Sequence, residues 1–424
     1  MRILYNNSFA KAFAAILSAN IFAQMIPFLV APVLTRLYAP ENFGLFATIT
    51  SISAFVAVFS SAKLELAVIV AKSNAQRQSL TTLCFQLLVI FSLVVLFVLV
   101  AASFLFPDVN IGMNSIVASF IVFLFIFFTG LYNILTCIAN ANCEYKKIAL
   151  NSVFFSLANN FSSVVLSFIC EMGLIYSFIL SRAFSCFKML SPAQWSEQIK
   201  RVKAQRFISR KNLFLMREFR KYPVYSVPSE ALDIYTKQMP IFLMGIFSGA
   251  YAVGLFALVD RVLSKPLSIV GRAVALPFRG EAVKRYNEQG SCRPIVLKVL
   301  LVLTAMSVVP FCILYFYAEN LFGLVFGEEW KKAGEFAKLL VPIFFFQFIT
   351  SPITFVFHIA GKQQVDFYLH IFMVIILTSC FLVGYQVYDN ELLAIQLYSA
   401  AYSFIYILYI YLSIKFSVNT KEKK

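Results

Sequence analysis

The chain reads as an all-α integral membrane protein of about twelve transmembrane helices, and three observations carry that reading. Hydrophobic residues make up 60% of its 424 residues and charged ones only 13%, about half the ~25% charged share of an ordinary soluble domain. Apolar stretches long enough to cross a ~30 Å hydrocarbon core, which takes ~20 residues at ~1.5 Å each, recur along its length. The strict alternation that marks a transmembrane barrel is absent. The expected architecture is two six-helix bundles, a parallel pseudo-repeat, around a central cationic cavity. Residues 1–191 form the first bundle, 192–225 a basic cytoplasmic linker and 226–424 the second.

The first span, 12–34, exceeds the ~7–15-residue core of a signal peptide and lacks a small-residue cleavage site, so it is expected to remain as a helix. Five further spans follow at 44–71, 80–105, 115–139, 148–170 and 174–191. The second six lie at 226–248, 254–278, 295–317, 335–359, 367–387 and 392–414. Pro27, Pro32, Pro240, Pro266, Pro310, Pro342 and Pro352 fall in or at the ends of spans, where each removes a backbone donor and tends to kink its helix. Between the halves, Pro192–Tyr225 sets Trp195, Ile199 and Val202 against Lys200, Arg201, Lys203 and Arg206. That pattern fits an amphipathic helix on the inner membrane surface, or else a solvated linker.

Orientation follows from Lys and Arg. With the N-terminus inside, 24 of the 36 basic residues fall in inside connections, and only Arg36, Lys331 and Lys332 in outside ones. The positive-inside rule therefore places both termini in the cytoplasm. The excess positive charge is met by anionic lipid, and no nucleic-acid motif accompanies it. The eight cysteines include no C-x-x-C pair, which gives no disulfide framework and no metal site.

Nine basic residues remain inside spans, and the span 254–278 holds three of them with Asp260. At ~100° per residue, Arg261, Lys265, Ser268, Arg272 and Arg279 lie within roughly 40° of one stripe. Each cation at bilayer depth costs about 2.5–3.5 kcal/mol, so the stripe is expected to face protein or water and to do a job there. Glu230, Asp233 and Lys237 share a face of the preceding span, Asp233 and Lys237 as an i,i+4 pair. Arg182 in span six and Arg36 at the outer mouth complete the cationic candidates; Asp260, Asp233 and Glu65 are the carboxylates available for coupling to an ion gradient. Structural pairing of Arg261, Lys265 and Arg272 with Glu230, Asp233 or Asp260 is the competing role. Lys63 and Glu65, two residues apart on a helix, are not expected to face each other. His358 and His370 lack metal-ligand spacing.

The halves echo one another. Gly44-Leu45-Phe46-Ala47 opens span two and Gly254-Leu255-Phe256-Ala257 opens span eight, an offset of 210. Under that offset Asp260, Arg261 and Lys265 correspond to Thr50, Ser51 and Phe55, so the cationic stripe belongs to the second half alone.

Four blocks resemble bacterial lipid-linked oligosaccharide flippases, the O-antigen and polysaccharide exporters of the multidrug/oligosaccharidyl-lipid/polysaccharide superfamily. Pro32-Val33-Leu34-Thr35-Arg36-Leu37-Tyr38-Ala39-Pro40-Glu41-Asn42-Phe43-Gly44-Leu45-Phe46 is similar to their first-loop signature. Lys63-Leu64-Glu65-Leu66-Ala67 is similar to the charged end of their second helix, and Tyr222-Pro223-Val224-Tyr225-Ser226-Val227-Pro228-Ser229 to the approach to their seventh. Phe326-Gly327-Glu328-Glu329-Trp330 with Ala333-Gly334 resembles the loop after their ninth. The resemblance implies two bundles facing across a V-shaped cavity and, as substrate, an undecaprenyl-pyrophosphate-linked oligosaccharide moved from the cytoplasmic to the periplasmic leaflet. Arg and Lys suit such a substrate, because pyrophosphate is a concentrated anion that Arg grips bidentately. Membrane lipids and other polysaccharide-assembly membrane proteins are the expected partners.

Two other classes compete. A polytopic glycan polymerase or transferase would be expected to carry a sizeable external loop or a His/carboxylate cluster, and Ala318–Gly334 is short and holds no His. A drug or small-cation exporter of the same fold would favour an acidic cavity. No enzyme activity and no cofactor are expected. No Gly-rich phosphate loop with Lys-Ser/Thr is present, so an H⁺ or Na⁺ gradient is the expected energy source rather than ATP.

Overall fold

The structure, a computed structural model, describes residues 7–71, 73–105, 114–205, 207 and 209–418. Helix occupies every expected span. In chain order these are α1 (Asn7–Leu37), α2 (Pro40–Ala57) with α3 (Leu64–Val70), α4 (Asn74–Leu105), α5 (Ser115–Ala141), α6 (Tyr145–Ser167) and α7 (Gly173–Met189). After α8 (Pro192–Ala204) and α9 (Arg210–Glu218), a π-helical turn, Tyr222–Ser226, leads into α10 (Val227–Phe247). Then come α11 (Gly249–Gln289), α12 (Arg293–Phe326), α13 (Lys331–Thr350), the short α14 (Val356–Ile359), α15 (Gln363–Gln386) and α16 (Glu391–Phe416). By length and hydropathy alone, seven of the described helices qualify as spans, or eight if the bent pair α7–α8 counts as one. α2–α3 falls short because it is broken, whereas α10 and α11 carry charges inside the span.

The chain divides into two units, Met1–Val30 with Leu45–Gln238, and Ala31–Gly44 with Met239–Lys424. The first unit is built on two apolar cores. Leu64, Leu80, Leu83, Leu88 and Ile134 are fully buried in one, and Ile49, Ile121, Phe125 and Ile175 centre the other. Phe125 stacks on Phe178 with centroids 4.5 Å apart. Lipid tails are as apolar as Leu, so hydrogen bonds and close packing must supply the rest of the helix–helix attraction. α6 and α7 show this: Asn151 donates to Ser185 at 2.8 Å and Ser163 pairs with Ser177 at 2.6 Å.

Residues 192–225, expected as a linker, fold onto this first unit. Ser191 and Gln194 form a capping box with Pro192 at the first turn of α8, which satisfies two orphan donors and starts the helix there. α8 turns 93° away from α7, and Trp195, Val202, Phe207 and Phe219 pack against the core around Leu64 and Leu80. The apolar side of α8 thus packs on protein, and the division between units falls later, inside α10.

In the second unit, Phe278, Ala282, Val296 and Val356 form one core and Leu303, Phe348 and Ile349 another. Trp330 is fully buried; its indole N–H donates to the Thr35 carbonyl at 2.8 Å, and Phe43 meets its ring edge-on at 5.0 Å. Two of the four signature blocks therefore meet here. The repeat is also physical. A Cβ on Gly44 would lie 1.7 Å from the carbonyl oxygen of Ala250, and one on Gly254 would lie 1.8 Å from that of Pro40. Positions 40 and 250 are related by the same offset of 210 as 44 and 254. The contact thus maps onto itself under the repeat, and neither position has room for a side chain.

Candidate functional site

The stripe expected from the sequence lies on α11, a helix of 41 residues with Pro266 and Pro277 inside it. Asp260 and Lys265 are exposed and Arg261 is half-buried. Ser264, one turn on, hydrogen-bonds Asp260, and Lys265 is the cation that acts on its carboxylate. Ser268 donates to the Lys265 carbonyl at 2.8 Å, a local bond that a proline-containing helix accommodates readily. At the far end Arg279 lies over the Phe355 ring at 4.7 Å. The side chain of Arg272 lies outside the described residues. Charges therefore concentrate where an apolar helix would carry none.

Sequence reasoning missed a row of phenols in the same unit. Tyr398, Tyr402 and Tyr406 of α16 form a ladder with ring centroids 5.5 Å and 4.9 Å apart. The signal available was their i,i+4 spacing, which puts three phenols on one helix face.

A second charged cluster lies in the first unit. Lys63 is 6% exposed and Glu65 3%. Lys63 Nζ lies 2.7 Å from Glu230 Oε1 and 3.6 Å from Glu65 Oε1, and the Ser61 hydroxyl donates to the other Glu65 oxygen. The expectation that Lys63 and Glu65 do not face each other is corrected here, and the cause is the backbone. Ala62 and Lys63 have φ of 51° and 57°, so the helix ends at Ala57 and restarts at Leu64. Left-handed backbone at two non-glycine residues is strained and persists only where surroundings enforce it. The second and third signature blocks meet at this cluster, Lys63 with Glu230 just beyond Ser229.

The remaining candidates separate clearly. The Arg182 guanidinium is sandwiched 4.3 Å from the Tyr132 ring centroid and 4.0 Å from that of Phe155, an arrangement that stabilises a desolvated cation. Lys237 pairs with Asp233 at 2.6 Å, both well exposed, so each neutralises the other locally. Arg36 is exposed in the last turn of α1, where a cation complements the helix dipole. His370 sits 3.1 Å from the Tyr409 hydroxyl, which also donates to Asp366.

The fold has clear counterparts. A lipid II flippase, MurJ, in an inward closed conformation superposes with a TM-score of 0.67 at 14% identity, over 96% of this chain and 87% of that one. An inward-facing multidrug resistance transporter of the MATE family, in the MOP superfamily, gives 0.62 at 14% identity over 95% and 96%. The eukaryotic MATE transporter AtDTX14 gives 0.54 at 14% identity over 95% and 94%. At such identities these likenesses establish the fold alone. Among curated protein sequences none matches this chain. The family model for polysaccharide biosynthesis proteins matches residues 33–335, a range that begins in the block around Thr35 and ends just past Trp330. With that range including both partners of the Trp330–Thr35 contact, the Lys63–Glu230 cluster and the charged stretch of α11, the chain belongs to the polysaccharide biosynthesis protein family.

Proposed function

We propose that the protein is a flippase that carries undecaprenyl-pyrophosphate-linked oligosaccharide, an O-antigen or related surface unit, from the cytoplasmic to the periplasmic leaflet of a bacterial inner membrane. The observation that carries this reading is the group of charges on α11, where Lys265 is exposed and Arg261 half-buried within a span-length helix and Asp260, off their stripe, is exposed as well. A pyrophosphate needs cations along its route, and the lipid tail can stay in the bilayer while the glycan follows a wet path. From Arg261 to Arg279 is about 27 Å of helix at 1.5 Å per residue. Successive weak cationic sites over that distance suit movement better than a single deep one. Lys237, Arg182 and Arg36 are the accessory cations of this reading. Family membership and a fold shared with a lipid II flippase support it, as they support a transporter over an enzyme.

Alternating access is driven in this reading by an H⁺ or Na⁺ gradient acting on Asp260, with Asp233 and Glu65 as the other candidate groups. Its partners are the membrane lipids and the other membrane proteins of polysaccharide assembly. The test is a vesicle assay with purified protein and a defined lipid-linked oligosaccharide, with and without an imposed ion gradient. Transfer of the glycan to the opposite leaflet, faster with the gradient, is expected. Transfer no faster than in protein-free vesicles, with the protein correctly inserted, overturns the reading. The likeness to multidrug transporters favours a second reading, organic-cation export. Against it stand nine basic span residues set beside Glu65, Glu230, Asp233, Asp260 and Glu335. Gradient-driven efflux of a fluorescent organic cation from the same vesicles would support the exporter instead.

A further inference from the structure

Away from both charged clusters, the first unit holds a polar cavity of about 260 Å³ under the bent helix α8. It is enclosed by the start of α4, the end of α5, the start of α6 and the length of α8. Three cations line it: Arg77, Lys147 and Arg201. Two of them are already paired, Lys147 with Glu144 at 3.0 Å and Arg201 with Glu197 at 2.5 Å. Arg77 is different. Among the described residues its guanidinium reaches the Asn142 carboxamide alone, at a long 3.4 Å, and its Nε is buried with no hydrogen-bond partner. Across the cavity the Gln198 side-chain oxygen is likewise buried and unsatisfied. A buried donor and a buried acceptor, each costly if left without a partner, thus line the same cavity. Further carboxamides, Asn74, Gln78 and Gln194, complete the lining.

We propose that this cavity binds a polyol phosphate: a phosphate group held by Arg77 with Arg201 and Lys147 behind it, and a hydroxyl donating to Gln198. The charge count favours an anion, because the two carboxylates leave one of the three cations uncompensated, and that cation is the one with the orphaned N–H. Arg presents a planar fork that suits phosphate oxygens, while carboxamides both donate to and accept from hydroxyls. The volume equals that of about eight or nine waters, which accommodates a phosphate and a three-carbon polyol but not a lipid chain. Apolar Leu135, Ile138, Met189 and Leu190 on the same lining give an attached chain a place to leave. α8, at 93° to α7, keeps the cavity at the end of the spans where the basic connections lie. The same chemistry is offered by the headgroup of a phosphatidylglycerol and by a soluble polyol phosphate, and the site is independent of the α11 stripe.

The test is calorimetric titration of the purified full-length protein with dioctanoyl-phosphatidylglycerol, glycerol 3-phosphate and, as control, dioctanoyl-phosphatidylcholine. Saturable binding near one per chain by the first alone assigns the site to a lipid headgroup; binding by the second assigns it to a soluble polyol phosphate; both outcomes support the proposal. R77Q is expected to weaken that binding at least tenfold and Q198L a few-fold, while R293Q, an exposed cation of the other unit, changes nothing. Should R77Q elute aggregated, R201Q carries the same expectation. Equal binding of phosphatidylcholine, no saturable binding at all, or wild-type affinity in the folded Arg77 or Arg201 variant overturns it.

Discussion

Lys63 sits between two carboxylates on a backbone that no helix would choose, and its removal should be costly. Taking away one partner of a buried ion pair typically costs about 3–5 kcal/mol, because the other charge is left behind. Glu230 is 40% exposed at the side chain while Glu65 is only 4% exposed, so Lys63→Ala is expected near the low end, roughly 3 kcal/mol. Glu230→Gln should cost much less. Thermal unfolding in detergent checks both, and equal losses would show that Glu65 does not depend on Lys63. On α11, Arg261→Ala is expected to cut transport at least tenfold with insertion intact, and Arg261→Lys to restore only part, since the bidentate fork is lost. Asp260→Asn separates coupling from simple charge offset. It keeps size and hydrogen bonding with Ser264 but cannot titrate, so gradient-driven transport should lose its pH dependence. A normal pH profile in that variant would make Asp260 structural.

At the level of helices, the crossing of α2 and α11 rests on two absent side chains. An added Cβ at either position would overlap a carbonyl, since ordinary contact begins at about 3.4 Å and the openings are 1.7 and 1.8 Å. Each of Gly44→Ala and Gly254→Ala should destabilise by about 1–3 kcal/mol or more, as overpacking does. The double variant is expected to cost less than the sum, because a backbone already displaced by one methyl has room for the second. Strict additivity would show that the two glycines act through separate contacts. The break between α2 and α3 invites the opposite experiment. Ala62 pays for its left-handed φ in strain of roughly 1–2 kcal/mol, so Ala62→Gly should raise the unfolding temperature unless the break relaxes in solution.

For the whole molecule, tags within 192–205 and near Lys415 should report the cytoplasm and a tag at Glu328 the outside; an external signal from the first would overturn the orientation read from the basic residues. Twelve helices were legible because hydropathy over ~20 residues is a local quantity that bilayer thickness enforces. The charges of α11 were conspicuous for the same reason, since a charge in an apolar run stands out without any knowledge of its neighbours. What escaped was whatever depends on distant residues or on unmarked backbone. No glycine or proline at 62–63 announces the turn that brings Lys63 to Glu65. The packing of Trp195 and Val202 onto the first unit's core needed three dimensions. The repeat was visible as four letters, yet the contact that gives those letters their meaning was not.

The hydrogen bond from Trp330 to the Thr35 carbonyl joins residues 295 positions apart, and that distance is also an interval of time. At a synthesis rate of about 5–20 residues per second, Thr35 leaves the ribosome roughly 15–60 s before its partner. The turn between α1 and α2 therefore waits through the making of the whole first unit before Trp330 arrives to hold it. Its signature is conspicuous early in the chain, but its shape is settled late, and a nascent chain stopped anywhere before residue 330 carries that turn without its indole anchor.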